Sequence, residues 1–381
     1  MTYRQAAVPA VAAGLLLTVL LWWAGSSAQV LHLRGATDVI GGQATAGLER
    51  WFAPWSYDPP TALRNIGGFP GADDGARYLT LYRTGMQIRF ASVFAFFVPG
   101  ALLLIRRLPP VNGRVPAASL ALWAWGLVAG TLAVTVSAPW LIASRGNAGF
   151  RFLPQLASTV SGGRQVVLAS ALVAAAAAVP IARITARASG PAPRAVVPAR
   201  AARLAATAGT VVIAVSLLVL SYQPVAARIQ AVDPGTGVLA EPGELLRQWL
   251  LLGAWSGPAG APVDDWLLYR AVDALLLVLV WWALRHLPAL LTRATVPAMA
   301  AGAVCATVLG LLACQTVRMA VGGTDFYQGL VPLADGLGDH VTAALVFGAV
   351  AGITAALLLR AMARRAEEGG GTAPHAQGRN V

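Results

Sequence analysis

None of the 28 basic residues in this chain is a lysine; every one is arginine. With its Ala, Gly, Val and Pro bias, this is the composition of a GC-rich bacterial genome, of actinobacterial kind. Charge as a whole is scarce, 12% of positions against about 25% in ordinary soluble domains. Hydrophobic residues make up 57%, more than a single water-soluble core could hide. Only Cys305 and Cys314 are available for sulfur chemistry, and both fall in one apolar run. They stand about 13 Å apart along a helix, too far for a disulfide within it. They read as small buried hydrophobes.

His32, His286, His340 and His375 are scattered and form no ligand pair, which argues against haem or a buried transition metal. There is no phosphate-cradling P-loop and no G-x-S-x-G nucleophile pattern. No cofactor is expected. The net charge of +12 does not point to nucleic acid, because no basic stripe is interleaved with stacking aromatics. The arginines flank hydrophobic runs, where membrane orientation and lipid headgroups account for them.

What is present is a series of long apolar runs: Ala7–Gly25, Phe90–Ile105, Ala117–Trp140, Val166–Ile184, Leu204–Tyr222, Trp266–Leu284, Val296–Val317 and Val341–Leu359. Each is close to the ~20 residues a helix needs to cross about 30 Å of hydrocarbon. The shortest, Phe90–Ile105, borrows from Met86–Arg89. The expected fold is an all-α integral membrane protein with eight transmembrane helices, the lipid bilayer as its first partner. The first run also fits a secretory signal ending at Ser26-Ser27-Ala28, which would leave seven spans. Its length and the interfacial pair Trp22-Trp23 favour a retained helix.

With the N-terminus inside, Arg106-Arg107-Arg114, Arg183 to Arg203, Arg285-Arg293 and the C-terminal arginines all lie on the inner face, with only Glu367 and Glu368 as acids. The remaining acids fall outside. This places both termini in the cytoplasm of a bacterial plasma membrane.

The chain also echoes itself. Arg107-Leu108-Pro109 followed by Val115-Pro116 returns as His286-Leu287-Pro288 and Val296-Pro297; Gln87-Ile88-Arg89 returns as Leu268-Tyr269-Arg270. Phe150 to Gly163 before the fourth span parallels Phe326 to Gly338 before the eighth. A tandem 4+4 parallel repeat would relate the halves by a pseudo-two-fold axis along the membrane normal. The halves are 1–185, with outer loop 29–87, and 204–365, with outer loop 223–265. An irregular linker, 186–203, joins them, and a disordered tail, 366–381, follows. Short interfacial helices are expected in the outer loops: Leu245–Trp255, with Trp51 to Trp55 as its partner.

Candidate chemistry is confined to carboxylates and one charge pair. Asp58, the pair Asp73-Asp74 and the pair Asp264-Asp265 could together offer oxygen ligands to a hard cation, or an acid and base. They could equally be solvated loop acids or first-turn helix charges. Arg270 and Asp273 share a face of the sixth span and read as a functional pair or a local ion pair near its outer end. Gly126-x-x-x-Gly130 and Gly348-x-x-x-Gly352 are close-packing signals. Three functions remain: a transport protein or membrane subunit of a transport complex; a non-catalytic scaffold partnering other envelope proteins; and an outer-face enzyme on lipid-linked material. A polar cavity at mid-membrane would favour the first, a solid bundle the second, and converging outer acids the third.

Overall fold

A computed structural model describes residues 2–32, 41–59, 72–110, 113–146, 151–186, 197–233, 235, 237, 240–253, 262–321 and 340–370. Eight helices among them are long and apolar enough to cross a membrane, and no strand occurs among the described residues. The chain is an all-α polytopic membrane protein.

The long helices are α1 (Tyr3–Ser27), α3 (Ala72–Arg107), α4 (Val115–Ala143), α6 (Arg164–Ala186), α7 (Ala199–Ala214), α10 (Val263–Leu290), α11 (Val296–Val321) and α12 (Val341–Gly370). Helix α7 runs on as a wider π turn over Val215–Leu220, where the Ser221 N–H reaches back to the Ser216 carbonyl. Among the described residues four short α-helices lie between the long ones: α2 (Gly42–Phe52), α5 (Phe152–Ser161), α8 (Gln223–Gln230) and α9 (Gly243–Leu250).

Packing follows small-residue faces. Helix α1 buries Ala6, Ala10, Ala13, Leu17 and Leu21 at helical spacing, while Val8, Leu15, Val19, Trp22 and Trp23 stay exposed on the other side. That is the division expected of a helix with protein on one face and lipid on the other. In the first four long helices, α1 touches α3 and α6, and α4 touches the same two, so the four close into a ring. In the last four, α7 touches α10 and α12, and α11 touches the same two. Gly126 and Gly130 lie against Ala171 and Val167 of α6; Gly348 and Gly352 lie against Val304, Met299 and Ala300 of α11. Both small-x-x-x-small pairs therefore sit at close helix crossings.

The rings meet chiefly through α4 and α11. These two are the most enclosed spans, each 67% buried. Nearer the end at which both helices begin, the Cys305 thiol donates to the Ala121 carbonyl at 3.3 Å. At one end of the bundle, Thr292 N–H donates to the Arg107 carbonyl (2.8 Å) and Arg114 to the Ala289 carbonyl (3.3 Å). At the other end, the Gln248 amide of α9 donates to the Ala157 carbonyl of α5 (3.0 Å). We call the first of these the link end and the second the loop end.

Several boundaries differ from the sequence expectation. Helix α3 begins at Ala72, so Tyr78 and Tyr82 sit on its extension and not in a loop spanning 29–87. The apolar pattern stops at Phe90, but Tyr78, Tyr82 and Met86 repeat at four-residue spacing, and Tyr82 and Met86 are buried. The expected loop 223–265 contains α8 and α9, with Val263–Asp265 already in α10. The interfacial helix there covers Gly243–Leu250, shorter than expected, and Trp255 lies outside the described residues. Helix α7 takes in Arg200 and Arg203 from the expected linker, and α12 continues to Gly370, past the expected start of the tail. A terminal helix can project beyond its packed part because its backbone bonds are internal. Phe326 to Gly338 lies outside the described residues.

Candidate functional site

Two groups of buried polar side chains occupy the loop end, one in each ring. In the second ring, Asp273 of α10 is buried, with its Oδ2 at 3.0 Å from Arg270 Nη1 and its Oδ1 accepting a bond from Arg318 Nη2 at 2.9 Å. Arg270 is one helical turn away on the same helix, but Arg318 comes from α11. The expected local pair is therefore a three-residue cluster joining two helices. Arg318 also lies over the Tyr269 ring at 5.7 Å, and Cys314, one turn below, donates to the Val272 carbonyl at 3.3 Å. Opposite, His340 Nδ1 lies 3.2 Å from the Leu251 carbonyl.

In the first ring, Arg89 of α3 is only 2% exposed. Its Nε donates to Ser137 Oγ of α4 at 2.9 Å and its Nη1 to the Pro54 carbonyl. Its guanidinium lies 5.6 Å from the centre of the Trp55 ring. Trp55 is itself buried by the Pro54-Trp55 turn, which folds between α1 and α6. Its indole Nε1 donates to the Gly163 carbonyl at 2.8 Å, and Gly25 of α1 meets its backbone so closely that a Cβ would collide with the carbonyl. Tyr82 Oη donates to the Ser56 carbonyl at 2.7 Å, with the Asp58 carbonyl at 3.2 Å. Beside these groups opens a cleft of about 270 Å³, lined in part by Arg89, Tyr82, Ser144, Arg145, Ser158 and Thr159.

The two clusters share a spacing. Arg89 and Ser137 are 48 residues apart, as are Arg270 and Arg318, and Ser92 stands one turn after Arg89 where Asp273 follows Arg270.

The other expected acids fall in different places. Asp58 accepts a bond from the Gln29 amide, and its own N–H donates to Ser56 Oγ at 3.1 Å, so it belongs to the first ring's loop end. Asp264 is exposed in the first turn of α10, and Asp265 shares that turn, its side chain outside the described residues. Asp73 and Asp74 stand in the first turn of α3, and their side chains likewise lie outside the described residues. Both pairs thus occupy helix N-terminal positions, where a carboxylate meets the positive end of the helix dipole. Among the described residues no group of three or more His, Cys, Asp or Glu could hold a metal ion.

Outside the spans, burial pushes the Tyr57 hydroxyl above its ordinary pKa; the ring stacks on Phe90 at 5.3 Å. Sequence reasoning missed Arg318, whose charge sits near the end of an otherwise apolar run. It also gave Arg89 no role beyond its place in the repeated entry Gln87-Ile88-Arg89. The shared 48-residue spacing was the signal that could have joined them. Comparison of the chain with protein-family models, with curated proteins and with solved structures finds no match.

Proposed function

We propose that this protein is a duplicated membrane scaffold of the bacterial envelope, oriented with both termini in the cytoplasm and its loop end facing outward. It assembles with other envelope components and catalyses no reaction of its own. The observation that carries this reading is the seam between the rings. Its central helices, α4 and α11, are the most enclosed of the eight, and Cys305 packs against the Ala121 backbone in the half nearer the link end. Ion-coupled carriers need polar groups where their halves meet, and the buried positions of α4 and α11 are mostly small apolar side chains, with the hydroxyls Thr131, Ser137 and Thr307 but no charge among the residues between the two ends. The matching ring order of the two sets of four helices supports the tandem repeat. The arginine-rich link end supports the orientation.

One observation favours transport as a second reading. Each ring buries a charged cluster, around Arg89 and around Asp273, and intramembrane charge often marks a pathway. Both clusters, however, lie at the loop end and not at mid-depth.

Cys305 separates the two. In a Cys314→Ser variant it is the one remaining thiol, and a membrane-impermeant maleimide can be applied to sealed cells and to inverted vesicles. A scaffold with a closed seam leaves Cys305 unlabelled from both sides. Labelling from either side would mean that the seam opens, and the transport reading would replace this one.

A further inference from the structure

We propose that the first-ring cleft is a binding site for a phosphate group, held between Arg89 and Arg145. The inference rests on an imbalance of charge. A buried guanidinium is costly unless an anion or a full set of hydrogen bonds compensates it. Arg89 has two acceptors, both neutral: Ser137 Oγ and the Pro54 carbonyl. Its Nη2 has no hydrogen-bond partner among the described residues, and the titratable groups close enough to act on it are Tyr82 and Arg145. Two cations thus face one cleft with no carboxylate among the described residues of its lining.

The second ring shows what is missing. There the two arginines, Arg270 and Arg318, enclose Asp273. In the first ring Ser92 and Ser137 stand at the corresponding spacings, so no acid occupies the position that Asp273 holds in the second ring. One half has an internal counter-anion; the other leaves that role to a ligand.

The chemistry of the cleft selects the ligand. The hydroxyls of Ser144 and Thr159 already donate to carbonyls of their own helices at 2.8 Å, and Tyr82 is committed to Ser56. The uncommitted donors are guanidinium N–H groups from two different elements, α3 and the end of α4. One arginine fork satisfies a planar carboxylate, whereas two forks from different directions suit a tetrahedral oxyanion with several acceptor oxygens. The volume, about 270 Å³, is far above the ~10–15 Å³ that one water requires on the same measure, enough for a phosphate and its nearest substituents. The cleft also lies at the loop end of the spans, the part of a membrane-spanning bundle that comes nearest to lipid headgroups. The phosphate could therefore belong to a lipid or come from solution.

The test uses the full-length protein in neutral detergent, with thermal unfolding followed against inorganic phosphate and, separately, against added phosphatidylglycerol. Arg145→Gln removes a rim charge that is exposed and outside the packed core, so the fold is retained; Arg89→Gln removes the buried one. Arg151→Gln is the control, an arginine of the same end that pairs with Glu241 at 3.1 Å and does not line the cleft. The expected result is stabilisation of the wild type, with affinity about ten-fold or more weaker in Arg145→Gln and unchanged in Arg151→Gln. Stabilisation by inorganic phosphate identifies a soluble ligand; stabilisation by the lipid alone identifies a headgroup. No stabilisation by either, or equal losses in Arg145→Gln and Arg151→Gln, overturns the proposal.

Discussion

Replacing Asp273 by Asn tests the central electrostatic claim of the second ring. The substitution keeps the shape of the side chain but removes its charge, leaving Arg270 and Arg318 facing each other without an anion between them. Removing one partner of a buried ion pair costs about 3–5 kcal/mol, because the remaining charge stays desolvated. The lower end applies here. Arg318 is 32% exposed and can turn toward the headgroups, whereas Arg270, at 15%, cannot easily follow. We expect a loss of about 3 kcal/mol, roughly a 150-fold shift in the unfolding equilibrium. Reversible unfolding in mixed micelles, read by near-ultraviolet circular dichroism, measures it. Adding Arg318→Gln to Asp273→Asn removes the repulsion and recovers part of the loss, so the two substitutions are non-additive. A single Asp273→Asn variant within about 0.5 kcal/mol of wild type, the range of an ordinary surface substitution, would refute the reasoning. The cluster would then be a solvated surface pair.

Gly352→Ala places a methyl against the backbone of Met299 and Ala300, and rigid overpacking of this kind costs about 1–3 kcal/mol; the same substitution at Gly47, inside α2 with open space where the Cβ would stand, costs nothing and gains up to about 1 kcal/mol. An epitope tag fused after Val381 is expected to stay inaccessible on intact cells and to become accessible in inverted vesicles; the opposite pattern reverses the orientation.

The spans were legible in the sequence because lipid imposes one simple requirement, an unbroken apolar stretch of fixed length. Composition alone therefore located all eight helices, including the short-looking Phe90–Ile105. It failed where a helix leaves the hydrocarbon yet remains packed against protein. Tyr82 and Met86 extend α3 by burying one face while the other carries polar residues, and a hydropathy window averages the two. The candidate site was half legible. Arg270 and Asp273 are one turn apart, and helical geometry joins them; Arg318 reaches them only through the packing of α11 on α10. Trp55 was read as part of a short interfacial helix, but it is fully buried. The turn that buries it depends on Gly25 of another helix having no side chain, a relation that no local pattern carries. The acidic pairs Asp73-Asp74 and Asp264-Asp265 resemble ligand sets in the sequence, while their first-turn positions give them a simpler role.

The ring order has a consequence for biogenesis. The contact that closes each set of four is between its earliest and latest helices, α1 with α6 and α7 with α12. During synthesis α1 must wait in the bilayer, with the face that later meets α6 turned toward lipid, until that last neighbour emerges from the ribosome. Insertion proceeds in two acts of closure, and the membrane itself keeps the early helices soluble in the interval.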